Sequence, residues 1–211
     1  MLALVLVGLG LVGLGLHLVQ QPPAAEAANL GTTSAVGQVV VRQPVRNPAA
    51  PDPASRAPVA PAAFMPRQLA LPRQHTQASV LPVGVGPSRG LDLPADPGTV
   101  GWWAGGAAPG QSAGSAVLAG HIDAAGYGPG ALTALLHVSV GDPVVVSDSA
   151  RRALRYRVTA RLSYPKSALP ASVFRSDGPP TLTLVTCGGP FDSNSHHYRD
   201  NIVVFAVPTT G

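Results

Sequence analysis

Cysteine is almost missing from this chain: Cys187 is the only one among 211 residues. A single cysteine cannot close an intramolecular disulfide, so a disulfide-stapled scaffold is excluded. Lysine and glutamate are as scarce, each present once, as Lys166 and Glu26. With the one glutamate far from the C-terminal half and the aspartates scattered, no acidic cluster of the kind calcium requires is in sight. No metal site and no cofactor are expected. Adjacent His196 and His197 have poor spacing for zinc. Charged residues make up only 11% of the chain, while Gly and Pro number 24 and 23. That balance suits a β-rich domain with many turns, joined to an unpacked segment.

The net charge of +4 comes almost wholly from arginine. Five of them crowd one stretch: Arg151, Arg152, Arg155, Arg157 and Arg161. No recognition helix or RNA-binding motif accompanies them, so a nucleic-acid partner is not expected. They read as a solvated strand face, with contact to an anionic envelope as the second reading.

What is present divides the chain in three. Residues 1–19, "MLALVLVGLGLVGLGLHLV", contain one polar side chain, His17. As a helix this run would span roughly 28 Å, close to the hydrocarbon core of a bilayer. It predicts an N-terminal membrane anchor, placing the rest on the extracytoplasmic face. A cleaved signal peptide is the alternative, favoured by the A-x-A-like triplet Ala25-Glu26-Ala27. Residues 20–67 are rich in Pro and Ala, have neither helical nor strand period, and predict an extended, disordered linker.

Residues 68–211 read as a domain of short strands. "ASVLPVGV", "TVGWWA", "SAVLAGH", "TLTLVTC" and "NIVVFAVP" are compact strand-like runs between Gly- and Pro-rich turns. "DPVVVSD" and "RALRYRVTARLSY" alternate with period two around a polar turn and predict a hairpin. Only "GALTALLHV" looks helical, with His137 at its end in a structural role. The pattern predicts an all-β barrel or sandwich.

Three residues stand where such strands meet loops. Cys187 in "TLTLVTCGG" is placed at a strand's exit, with Gly188 and Gly189 leaving room for a substrate. A thiolate nucleophile needs that room and a basic or cationic neighbour, whereas a core cysteine would sit mid-strand. His121 in "AVLAGHID" also ends an apolar run; its alternative is a turn-capping histidine. Arg199 in "HHYRDNIVVFA" opens the last strand, where a cation can stabilise an oxyanion. Its alternative is a surface ion pair with Asp192 or Asp200.

At these residues the chain resembles the sortases, the cysteine transpeptidases of Gram-positive cell surfaces. "TLVTCGG" resembles the family's TLxTC motif, "LAGHID" the region of its catalytic histidine, and "YRDNIVVFA" that of its catalytic arginine. "VGWWAGGAAPG", "TCGGPFD" and "HYRDN" look most like the class F sortases of actinobacteria. The resemblance implies a closed eight-stranded β-barrel with short helices. It implies cleavage of an LPxTG-like sorting signal between Thr and Gly through a thioacyl enzyme, and transfer to a cell-wall amine. Cys187 would be the nucleophile, His121 the acid and base, and Arg199 the oxyanion or substrate ligand, with Thr186 in support. His197 and Trp103 are further candidates for touching substrate, and Asp123 for orienting the imidazole or capping a turn. The implied partners are LPxTG-bearing surface proteins and a peptidoglycan precursor or other amine acceptor. Hydrolysis of the acyl enzyme by water, or a catalytically silent peptide-binding barrel, are the rival readings.

Overall fold

The computed structural model describes residues 63–87 and 89–209. The predicted anchor and nearly all of the predicted linker lie outside the described residues. Among those described, no helix is long and apolar enough to cross a membrane.

The strands are β1 (Pro66–Leu71), β2 (Thr76–Val83), β3 (Thr99–Trp103), β4 (Ser115–Ala119), β5 (Asp123–Ala124), β6 (Gly128–Pro129), β7 (Pro143–Asp148), β8 (Ala153–Pro165), β9 (Thr181–Asp192) and β10 (His197–Pro208). Eight of them close a barrel in the order β1-β2-β3-β4-β9-β10-β8-β7, and β5 and β6 form a small separate ribbon. Two neighbouring pairs, β2 with β3 and β4 with β9, run parallel, and the other pairs in the barrel are antiparallel. The expected hairpin is β7 with β8.

Alternation decides the two faces. Leu69, Val80, Val100, Leu118, Val144, Val158, Leu182, Leu184, Ile202 and Val204 point inward from all eight barrel strands and form the main core. On the outside of β4, β9 and β10, Val117, Ala119, Val185 and Val203 form a second buried layer. It is covered by Leu91 and Leu93 from the β2–β3 segment and by Leu169, Val173 and Phe174 from the β8–β9 segment.

Several expectations change. β1 begins at Pro66, and Phe64 packs on the core and under the Arg152 guanidinium, so ordered packing starts inside the stretch assigned to the linker. The helical segment is a 3₁₀ turn over Ala131–His137 that buries Leu132 and Leu135. Its final carbonyls have no partners within so short a turn. Arg161 supplies them, donating to the carbonyls of Leu136 and Val138, both at 2.7 Å. Arg161 is therefore buried, at 7% exposure, and does not share the solvated face of Arg155 and Arg157.

Candidate active site

The strand holding Cys187 does not stop there. β9 runs five residues further, to Asp192, and stays paired with β10. The two glycines are part of the ladder. Gly189 has φ +72, and a Cβ on it would strike the Asp200 carboxylate. Two residues of β9, Gly189 and Pro190, face the single residue Arg199 between the pairs Asp200↔Gly188 and Tyr198↔Phe191. This is a β-bulge with glycine in the left-handed region, which explains a Gly-Gly that from sequence looks like a loop. Cys187 lies just before it, half-buried and free of any disulfide.

The strand that leads to His121 runs beside the strand that holds Cys187, because β4 pairs in parallel with β9. Ser115 pairs with Thr181 and Ala119 with Val185, a constant offset of 66 residues. The contact continues past the named strand: the Gly120 N–H donates to the Val185 carbonyl at 3.1 Å, and the Thr186 hydroxyl donates to the Gly120 carbonyl at 2.9 Å. β4 ends at Ala119, and His121 follows two residues on, as Cys187 follows Val185 on β9. Thr186 is thus buried and acts on the backbone beside His121.

The imidazole is oriented by a backbone partner. His121 Nε2 lies 3.1 Å from the Pro94 carbonyl in the β2–β3 segment. A carbonyl only accepts, so Nε2 is the donor in this contact. The backbone next to it is held from the 3₁₀ turn, where the Gly130 N–H and the Thr133 hydroxyl both donate to the Ile122 carbonyl. Gly130 approaches so closely that any Cβ would strike the His121 carbonyl.

Asp123 neither orients that ring nor caps a turn. Its carboxylate accepts a 2.5 Å hydrogen bond from the Tyr198 hydroxyl. Tyr198 is buried, meets Phe191 edge to face at 5.1 Å, and packs with Ile122, Phe191, Leu136 and Cys187. Burial pushes its phenol up to about 12, and the Asp123 carboxylate adds to the shift.

On β10, Asn201 stands directly across from Cys187. Directly opposed residues of an antiparallel pair share a face, with Cβ atoms about 5 Å apart. Arg199 is two residues away on that same face, roughly 7 Å along the strand. Its guanidinium reaches outward, 67% exposed, to the Asp192 carboxylate at 3.7 Å. Asp192 is held below the usual carboxylate range chiefly by the N–H groups of Asn194 and Ser195, with Arg199 a lesser cause. The structure thus shows Arg199 in the surface ion pair that was its alternative reading.

The remaining candidates divide. Trp103, half-buried, meets Phe174 edge to face at 5.3 Å and belongs to the outer apolar layer beside Val185. Trp102 points into the barrel and donates its indole N–H to the Ala107 carbonyl. His196 is exposed in the β9–β10 turn, His197 is exposed at the start of β10, and His137 is exposed at the end of the 3₁₀ turn. Among the described residues no group of three or more His, Cys, Asp or Glu is placed to hold a metal ion. Sequence reasoning passed over Asn201 and Tyr198. Both lie inside the quoted "HYRDN", but the bulge that sets their register has no local signature.

Comparison with known proteins agrees with this architecture. The sortase domain model matches residues 69–209. A search of curated proteins finds no match. Among solved structures, sortase A from Corynebacterium diphtheriae superposes with a TM-score of 0.54 at 19% identity, over 72% of this chain and 64% of that one. Sortase C-1 from Actinomyces oris gives 0.53 at 20% identity, over 68% of this chain and 73% of its own. A Clostridium perfringens sortase D5 transpeptidase gives 0.51 at 16%, over 68% and 78%. Likenesses at such identity are likenesses of fold. The barrel is all-β and of the sortase type, and the domain match extends over well more than half of the sequence. The chain belongs to the sortase family of cysteine transpeptidases.

Proposed function

We propose that this chain is a class F-like sortase that cleaves an LPxTG-like sorting signal between Thr and Gly and transfers the acyl group to an amine of the cell wall. The observation that carries the reading is the parallel β4–β9 ladder, which ends two residues short of both His121 and the lone Cys187 and so supports their pairing.

His121 first takes the proton of the Cys187 thiol; the resulting thiolate attacks the Thr carbonyl carbon, and the tetrahedral oxyanion collapses to a thioester as the Thr–Gly bond breaks. The leaving glycine amine takes a proton from His121. An incoming amine then gives a proton to His121 and attacks the thioester, which frees the thiolate and forms the new amide. Arg199 serves the oxyanion or the substrate backbone. Its present partner Asp192 does not forbid this, because an ion pair this exposed is screened by solvent and exchanges readily. Thr186 supports the backbone next to His121. Trp103, in the outer apolar layer beside Val185, and His197, exposed at the start of β10, remain the further candidates for touching substrate.

Residues 1–19 anchor the enzyme in the membrane, and the Pro/Ala-rich stretch holds the barrel at the extracytoplasmic face. The partners are then LPxTG-bearing surface proteins and a peptidoglycan precursor or similar amine. The test is mass spectrometry of the protein with an LPxTG peptide, with and without an amine such as triglycine. An acyl adduct on Cys187 and an amine-transfer product are the expected results. Cleavage without any transfer product would replace the transpeptidase with a thiol endopeptidase, and no adduct would remove both.

A further inference from the structure

We propose that the hydrogen bond from Tyr198 to Asp123 is a positioning tether that aligns His121 and Arg199 around Cys187 without itself touching substrate. The inference deepens the proposed function and rests on the roles given there.

The argument is one of connectivity. Asp123 opens β5, two residues after His121. Tyr198 is in β10, immediately before Arg199. Their hydrogen bond, at 2.5 Å, therefore joins the segment that carries the histidine to the strand that carries the arginine. These segments are 75 residues apart. They belong to strands that are not neighbours, since β9 lies between β4 and β10 in the barrel. The tether thus reaches across β9 beyond Cys187, at the Tyr198↔Phe191 pair, and Ile122, Tyr198, Phe191 and Cys187 share one small apolar cluster there.

No ladder hydrogen bond can do this work, because none links β4 to β10 directly. The backbone after His121 is otherwise tied to the 3₁₀ turn, through Gly130 and Thr133, and the ring to Pro94. None of those partners belongs to β10. On the β10 side, Arg199 faces the bulged pair of β9 residues. A bulge disrupts the local ladder. Tyr198 is the residue of β10 that fixes this end, with its ring against Phe191 and its hydroxyl on Asp123. The bond also occupies the Asp123 carboxylate, leaving the Pro94 carbonyl as the fixed partner of the imidazole.

The test compares Tyr198→Phe, Asp123→Asn, Asp123→Ala and the double variant Tyr198→Phe/Asp123→Ala in steady-state cleavage of an LPxTG peptide, per mole of folded protein. Tyr198→Phe keeps the ring and its packing and removes only the donor. Reacting groups displaced by about an ångström lose one to two decades of rate. Tyr198→Phe and Asp123→Ala should each lower kcat roughly ten- to a hundredfold with KM within about threefold. The double variant should be no slower than the slower single. Asp123→Asn, which still offers an oxygen to the hydroxyl, should stay within about threefold of the parent. Losses that multiply in the double variant, a loss carried by KM, Asp123→Asn as slow as Asp123→Ala, or Tyr198→Phe within about threefold of the parent would each overturn the tether. Cys187→Ala is measured alongside. If it still cleaves, the transpeptidase reading falls and takes the tether with it. If it is dead while the cycle is additive, the tether alone falls.

Discussion

The inner and outer faces of β9 differ in what they can tolerate, though they share one backbone. Inward, Leu182, Leu184 and Thr186 are sealed within the barrel, the threonine's hydroxyl bonded to the Gly120 carbonyl. Outward, Thr183, Val185 and Cys187 descend from full burial to half exposure, with Ser115 bonded to Thr183 at one end and the free thiol at the other. The inner set fixes register, because a slip of one residue would send the leucines outward and Cys187 into the core. The outer set uses that register to present one reactive group. Stability and chemistry are thereby assigned to alternate residues of a single strand.

This separation can be broken from either side. The largest effect belongs to Cys187→Ala, which should abolish both cleavage and the acyl adduct while the circular dichroism spectrum and melting temperature stay near those of the parent. A folded Cys187→Ala protein that still cleaves would end the assignment. Leu184→Ala, one strand residue removed from the outer face, should cost about 2–5 kcal/mol of stability in denaturant unfolding. Its kcat per folded molecule should change little. Arg199→Ala should slow cleavage roughly 100- to 1,000-fold, equivalent to about 3–4 kcal/mol in barrier. Its stability should be unchanged, since the pair with Asp192 is exposed. His197→Ala should stay within about tenfold of the parent, or about 1.4 kcal/mol. A dead His197→Ala beside an active His121→Ala would reassign the histidine.

The smallest effect at neutral pH is confined to alkali. Tyr198 and Tyr156 both have phenols raised by burial, Tyr198 to about 12. An acid whose folded value is raised stays neutral in the fold while the unfolded chain ionises near 10. The stability they lend is complete below about pH 10 and is lost as pH rises toward 12. Urea midpoints should be flat from pH 7 to 9 and fall above about pH 10. A Tyr198→Phe variant should fall less steeply, and an equal slope would contradict the assignment.

Much of this was legible because period-two alternation is local. The β7–β8 hairpin, β3, β4 and the apolar length of β10 follow from their own residues. β1 was not legible, because proline, arginine and glutamine dilute its pattern and its partners are β2 and β7. The Gly-Gly after Cys187 read as a loop because nothing local says that a carboxylate 11 residues later will press against Gly189. Arg161 read as exposed because the carbonyls that draw it inward belong to a turn 23 and 25 residues earlier. The three residues proposed for the site stand in the sequence as types in a recognisable order. Their relative placement is not legible there, since it depends on a parallel register between β4 and β9, and the orientation of Arg199 depends on a bulge.

The parallel pairing of β4 with β9 also sets when the site comes into being. A parallel pair cannot form from a tight turn and requires a crossover, here the whole span from β5 to β8. Such long-range pairing closes late, after the entropy of a large loop has been overcome, and folds on a scale of milliseconds to seconds. Until then the proposed pair is not assembled, and no fragment that lacks the span from His121 to Cys187 contains it. Chemical competence is therefore a report of barrel closure. A chain still threading, trapped or cut between β4 and β9 carries every residue of the site and none of its reactivity.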